Sequence, residues 1–192
     1  MQFVGDYQVD PTLCDDLIAL HKACAKQGLV VRGRLGTDQG MVVDKKKKDS
    51  YDLGLITVPD ALAEQHRLPE FYGALKDCID QYAEKFPIIK QLGAYHIGES
   101  PIIQRYKRGG GYRWPHCERT GLDSTTRMLV WMMYLNDVSD GGGTHFVYQR
   151  HTFEARKGRL LVWPSDFTHT HHGVVSKTQE KFIITGWLNF AD

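Results

Sequence analysis

The sequence predicts a mainly β, α+β chain with helices in its first half, and three observations predict it. Helical periodicity is confined to the residues before Pro87. From Leu92 onward, short β-branched and aromatic runs alternate with Gly, Pro, Asn and Asp, the pattern of strands and turns. The length, 192 residues, suits one domain. Many short strands within about a hundred residues suit a double-stranded β-helix, the jelly-roll, cupin-like arrangement of two packed sheets.

The first helix opens at Asp10-Pro11, with Asp as N-cap and Pro at the first helical position. Leu13, Leu17, Leu20 and Cys24 follow at helical spacing, and Gly28 is a natural stop. A short strand is expected from Leu29. Residues 33–55 are polar and Gly-punctuated and carry Lys45 to Lys48, which reads as a solvated loop or as a flap over a site. A second helix is expected from about Pro69 to Phe86, with Phe71, Leu75, Ile79, Tyr82 and Phe86 on one stripe. Strands are expected near 94–97, 101–107, 112–118, 127–135, 144–149, 152–156, 159–163, 171–175 and 181–189. Residues 1–91 are thus read as a helical support and 92–192 as the β core, within a single domain.

Composition narrows the class. Hydrophobic residues make up 42%, enough for a core, and the 24% charged content with a net charge of +1 gives no global attraction to nucleic acid or to an acidic membrane surface. Cys14, Cys24, Cys78 and Cys117 are scattered with no CxxC pair, which points to reduced thiols and a cytoplasmic protein. No basic-then-apolar leader is apparent at the N-terminus, and the longest apolar run, Met128 to Leu135, is far short of the ~20 residues of a membrane span.

Candidate chemistry gathers between Gln104 and Trp187. His116 and Glu118 are two apart, so in an extended strand they aim an imidazole and a carboxylate to the same side. A third ligand from His169, His171 or His172 makes two histidines and one carboxylate, the facial set that suits non-haem Fe(II) with open positions. In an extended segment His169 and His171 share a face and His172 points away.

Tyr106, Gly109, Tyr112 and His116 resemble the Tyr-x-x-Gly-x-x-Tyr-x-x-His run of the Fe(II)/2-oxoglutarate-dependent dioxygenases, prolyl 4-hydroxylase-like branch, with one extra residue before the histidine. Gly141-Gly-Gly-Thr144-His-Phe146 resembles that family's Gly-Gly-x-Thr-x-Phe hairpin, which makes His145 structural. In the family a Lys or Arg nine or ten residues past the distal histidine binds the far carboxylate of 2-oxoglutarate. Lys181 stands ten past His171 and twelve past His169, so the resemblance implies His116, Glu118 and His171 as ligands and His169 as an orienting neighbour. It further implies Lys181 and Tyr134 on the distal carboxylate, Tyr106 near the metal, and Thr185 and Trp187 walling the pocket. Core packing is the alternative for the two tyrosines.

The resemblance implies Fe(II), 2-oxoglutarate as co-substrate, O2 and ascorbate as reductant. The reaction is hydroxylation of an unactivated C–H, in a prolyl residue or a free amino acid, with succinate and CO2 as co-products. The chain is expected as monomer or homodimer, acting on a peptide, protein or amino acid. Two other readings stand beside it. Arg105, Lys107, Arg108, Arg113 and Arg119 interleave with Tyr106, Tyr112 and Trp114, as in a surface that oxidises nucleic acid. A non-catalytic cupin-like binding module is the other.

Overall fold

The computed structural model describes residues 2–37 and 40–191. In chain order the elements are β1 (Gly5–Gln8), α1 (Pro11–Lys26), β2 (Val31–Arg32), β3 (Leu35–Thr37), β4 (Gly40–Val42), β5 (Tyr51–Gly54), α2 (Asp60–Gln65) and α3 (Leu68–Lys85). They continue with β6 (Tyr95–His96), β7 (Ile102–Tyr106), β8 (Arg127–Tyr134), β9 (Thr144–Phe146), β10 (His151–Phe153), β11 (Arg159–Pro164), β12 (His171–Gly173) and β13 (Lys181–Phe190).

The helices begin where side-chain chemistry dictates. Asp10 Oδ1 accepts the Thr12 amide at 2.9 Å, which satisfies one of the unpaired donors of the α1 first turn. Both expected helices form within a residue or two of their expected ends, and α2 is an additional short one.

The large sheet has the order β1-β11-β8-β13-β7-β5-β2, with β6 also on β13, and a smaller sheet has the order β10-β9-β12. All of their pairings are antiparallel. The large sheet is covered on both sides. Leu129, Trp131 and Met133 of β8 and Ile184 and Leu188 of β13 face α1 and α3. Val130, Met132 and Tyr134, with Ile183 of β13, face Phe146 and Phe153 of the small sheet. Burial on both faces explains why β8 reads as one unbroken apolar run rather than an alternation. Two sheets closing on a second core is the jelly roll that the strand pattern predicts, and its interior is where the site residues collect.

The structure corrects three expectations. Residues 112–118 form no strand; Tyr112 and His116 make only isolated bridges, to Lys48 and His171. Pro115 has no amide to donate, which interrupts a ladder there. Residues 1–91 are more than a helical support, because β1, β2 and β5 are strands of the large sheet itself. The loop expected over 33–55 is solvated only in part. Its end is β5, and Lys48, Ser50 and Asp52 are buried polar residues. Asp38 and Gln39, which fall in that loop, lie outside the described residues. Among the described residues, no helix is long and apolar enough to cross a membrane.

Candidate metal centre and co-substrate pocket

His116 and His171 sit opposite each other on one backbone bridge. His116 N donates to the His171 carbonyl at 3.0 Å and His171 N to the His116 carbonyl at 2.9 Å. Residues facing each other in such an antiparallel pair project to the same side, so the bridge alone brings two imidazoles together, with ring centroids 4.4 Å apart. Glu118 is anchored by its own amide on the Ser165 carbonyl at 3.0 Å. Its Oε1 then lies 3.5 Å from His116 Nε2 and 3.6 Å from His171 Nε2. The three ligand atoms all fall within 4.8 Å of one another, and among the described residues this is the one such group of His, Cys, Asp and Glu.

The outer contacts suit a cation. His116 Nδ1 lies 2.8 Å from the Trp114 carbonyl and His171 Nδ1 lies 2.9 Å from the His169 carbonyl. A carbonyl only accepts, so each Nδ1 carries the proton and each Nε2 keeps its lone pair for an ion. Burial, then the charge of His116, pushes the His171 imidazolium down to about 3, so this ring is neutral at physiological pH. Burial alone raises the Glu118 carboxyl. Its hydrogen bond and charge pairing with His116, with His171 and Arg127 adding, outweigh that and hold it at about 2. One carboxylate oxygen and two imidazole nitrogens converge with their outer atoms already partnered, and this donor set fits ferrous iron.

Trp187 has a different part from a pocket wall. Its indole Nε1 donates to Glu118 Oε2 at 3.0 Å, so one carboxylate oxygen is turned away from the histidines and held there. Arg127 lies over the same indole at 4.0 Å, donates to the Glu118 carbonyl at 2.8 Å, and is itself clamped by both oxygens of Glu99 at 2.5 and 2.6 Å. Tyr112 stacks on the His116 ring at 3.7 Å and 11°. Sequence reasoning missed Arg127 and Glu99, whose contacts join segments far apart in the chain. It placed Tyr112 in the motif without a contact, although the spacing to His116 was the available signal.

The other expected residues distribute as follows. The His169 ring turns toward Thr168 Oγ1 and Gln2 O, so its backbone carbonyl, not its imidazole, meets His171. His172 points to the other side of β12, beside His145 of β9. Lys181 is buried at the start of β13, its Nζ 4.8 Å over the Tyr106 ring, with no ion pair among the described residues. A Cβ placed on Gly173, two residues past His171, would lie 3.6 Å from that Nζ, so the ammonium adjoins the strand bearing His171. Burial pushes it down to about 8. Tyr106 Oη donates to Gln104 Oε1 at 2.5 Å, Tyr134 Oη to Thr144 Oγ1 at 2.7 Å, and Thr185 Oγ1 to the Trp131 carbonyl at 2.9 Å.

Four of the eight residues in the nucleic-acid pattern read from the sequence are engaged within the protein. Tyr106 is buried, Tyr112 is stacked on His116, Arg105 pairs with Glu180 at 2.5 Å, and Arg119 pairs with Asp166 at 2.6 Å.

Comparison with known proteins agrees with this fold. Residues 101–189 match the family model of the 2OG-Fe(II) oxygenase superfamily. No curated protein sequence matches the chain. Among solved structures, a Pseudomonas putida prolyl-4-hydroxylase aligns over 98% of this chain and 93% of its own, with TM-score 0.67 and 18% identity. The viral collagen prolyl hydroxylase of Paramecium Bursaria Chlorella virus-1, in its 2OG complex, aligns over 100% and 97%, with TM-score 0.65 and 18% identity. A Trichoplax adhaerens prolyl hydroxylase, in complex with a hypoxia inducible factor peptide fragment, aligns over 96% and 83%, with TM-score 0.68 and 16% identity. With that family match over residues 101–189 seated on a prolyl hydroxylase-like jelly roll, the chain carries a 2OG-Fe(II) oxygenase domain, of the kind that works with Fe(II), 2-oxoglutarate and O2.

Proposed function

We propose that this chain hydroxylates an unactivated C–H of a polypeptide, with a prolyl residue as the target, and that His116, Glu118 and His171 hold the iron. One observation carries the reading: three donor atoms converge while their outer atoms are already bonded to Trp114 O, His169 O and the Trp187 indole. Bound Fe(II), with 2-oxoglutarate and O2, supplies the oxidation, leaving succinate and CO2 as co-products. The chain supplies orientation and dryness. The Trp114 and His169 carbonyls fix the tautomer of each imidazole, and Tyr112 limits rotation of the His116 ring. Phe146 and Trp163, with ring centroids 5.5 and 5.1 Å from His171, keep water off its buried side.

Lys181 faces the distal carboxylate of 2-oxoglutarate, and its position beside Gly173 and its lack of an acid partner among the described residues support that role. Tyr134, whose hydroxyl proton goes to Thr144 Oγ1, would have to turn that proton to donate there, while Tyr106 and Thr185 line the pocket between. A prolyl target is supported by the neighbouring folds, which are prolyl hydroxylases of bacterial, viral and animal origin. A free amino acid is the alternative target.

The test is incubation with Fe(II), 2-oxoglutarate and ascorbate, reading succinate, together with mass spectrometry of proline-containing peptides and free amino acids. The expected result is succinate formation and one added oxygen on a peptide proline. Absence of succinate overturns the enzyme assignment, and oxygen gained by amino acids alone overturns the polypeptide assignment.

A further inference from the structure

The face beside His116 carries a concentration of positive charge that the site chemistry does not use. Backbone hydrogen bonds from Asp49 to Gly111 (2.9 Å) and from Arg113 to Lys47 (2.8 Å), flanking the Lys48–Tyr112 bridge, stitch the lysine run to the segment that leads into His116. The Arg113 guanidinium donates to the Lys45 carbonyl at 3.2 Å, and Lys47 Nζ lies 4.9 Å over the Trp114 ring. Trp114 is 57% exposed, and its carbonyl holds His116 Nδ1, so this aromatic residue is joined through its backbone to a candidate ligand.

Among the described residues, no carboxylate pairs with Lys45, Lys46 or Lys47, whereas Arg105, Arg119 and Arg127 each have one. The acid next in the chain, Asp44, turns one oxygen to the Lys46 amide at 2.9 Å instead. Exposed Met41, Val42 and Val43 lead into the run, so apolar surface adjoins the cations. With a net charge of only +1 over the whole chain, this is a local feature and not a general basicity.

Resting on the hydroxylase reading above, we infer that the substrate is an acidic polypeptide, whose Asp and Glu residues near the oxidised position meet Lys45, Lys46, Lys47 and Arg113 while its backbone crosses Trp114. Unpaired cations at the edge of a site attract a carboxylate-bearing partner and repel a cationic one. A free amino acid at the iron would not extend over Trp114 and the lysine run. A single-stranded nucleic acid would need successive stacking platforms, and of the three aromatic residues in this stretch only Trp114 is exposed.

The test uses three labelled peptides with the same central proline, flanked by Asp and Glu, by Ser and Gly, or by Lys. Binding to the full chain loaded with Mn(II) and 2-oxoglutarate is read by fluorescence anisotropy. At about 50 mM salt the acidic peptide is expected to bind about tenfold more tightly than the neutral one. At about 500 mM, where the screening length falls to a few ångströms, the preference shrinks to about twofold. Lys45→Glu/Lys46→Glu inverts the order of the acidic and lysine peptides, and Lys45→Gln/Lys46→Gln abolishes the preference.

Equal binding of the acidic and neutral peptides, a preference that survives the charge reversal, or tighter binding of a single-stranded oligonucleotide than of any peptide overturns the inference. Succinate formed from 2-oxoglutarate by the Fe(II)-loaded protein, with the three peptides and the free amino acids supplied as substrates, is read separately. Its presence alongside equal peptide binding removes the acidic-substrate inference and leaves the oxygenase, while its absence removes the hydroxylase reading itself.

Discussion

If Lys181 holds the co-substrate as proposed, it ties protein stability and co-substrate affinity to one proton. Its ammonium is buried with no acid beside it among the described residues, and burial alone lowers it to about 8, against an ordinary value of 10.5. The folded chain therefore binds fewer protons than the unfolded chain between pH 8 and 10.5. Stability of the ligand-free protein rises with pH across that window, and below it the cost of the buried charge is felt in full, about 3 kcal/mol from 1.36 kcal/mol per unit.

A ligand carboxylate reverses the preference, because it binds the charged form. The protonated fraction falls from about nine-tenths at pH 7 to about one-tenth at pH 9, so the apparent Kd for 2-oxoglutarate is expected to rise about tenfold over that interval. Lys181→Met separates the two effects. It removes a charge-assisted pair of about 1.5–3 kcal/mol and weakens 2-oxoglutarate roughly 10- to 150-fold. The same substitution stabilises the ligand-free protein by up to about 3 kcal/mol at pH 7. Lys181→Arg keeps the charge and flattens the pH dependence of affinity. Calorimetric titration of 2-oxoglutarate into the Mn(II)-loaded protein at pH 7, 8 and 9, with urea unfolding of the ligand-free forms, reads both quantities. A flat affinity profile in the unsubstituted protein, or a Lys181→Met protein that loses stability, refutes the reasoning.

Three further outcomes follow from the same geometry. His171→Ala abolishes Mn(II) binding, measured by electron paramagnetic resonance, whereas His169→Ala preserves it because only the His169 carbonyl meets the site; the opposite pattern exchanges their roles. Trp187→Phe deletes the donor on Glu118 Oε2 and raises the Mn(II) Kd about 10- to 100-fold with the fold retained; a change below about twofold would show the bond to be idle. Lys48→Met strands Asp52 beside a 2.7 Å ion pair that no longer exists and costs about 3–5 kcal/mol in urea unfolding, while Lys48→Met/Asp52→Leu recovers most of it. Equal losses in the single and double variants would rule out the pair as the source.

The Lys48–Asp52 pair also shows why part of this molecule was hidden in its sequence. A lysine run ordinarily marks a solvated face, and Lys45 and Lys46 obey that rule. Lys48, Ser50 and Asp52 then alternate inward at strand spacing, but they are polar, so no hydrophobic periodicity reveals them. Gly33 permits it: a Cβ there would stand 2.1 Å from Ser50 Oγ. The β core was legible for the opposite reason. Its strands carry apolar side chains at regular spacing between Gly and Asn turns, and β8 is apolar on both faces because both are covered.

The candidate ligands were legible by type and spacing, yet the route to their convergence was not. The strand expected over 112–118 does not exist, and the two histidines meet through a single bridge between segments 55 residues apart. Glu118 extends this point. A glutamate has one more rotatable bond than an aspartate, and ordering it in one rotamer costs more entropy. The Trp187 indole at 3.0 Å and the Arg127 guanidinium at 3.7 Å from Glu118 Oε2, both on strands of the large sheet, limit that freedom from outside the ligand set, so the longer carboxylate presents one oxygen to the histidines and withholds the other. Sequence motifs pick out three candidate donors, but how the Glu118 carboxylate is turned between the histidines and Trp187 depends on residues that no local pattern connects to them.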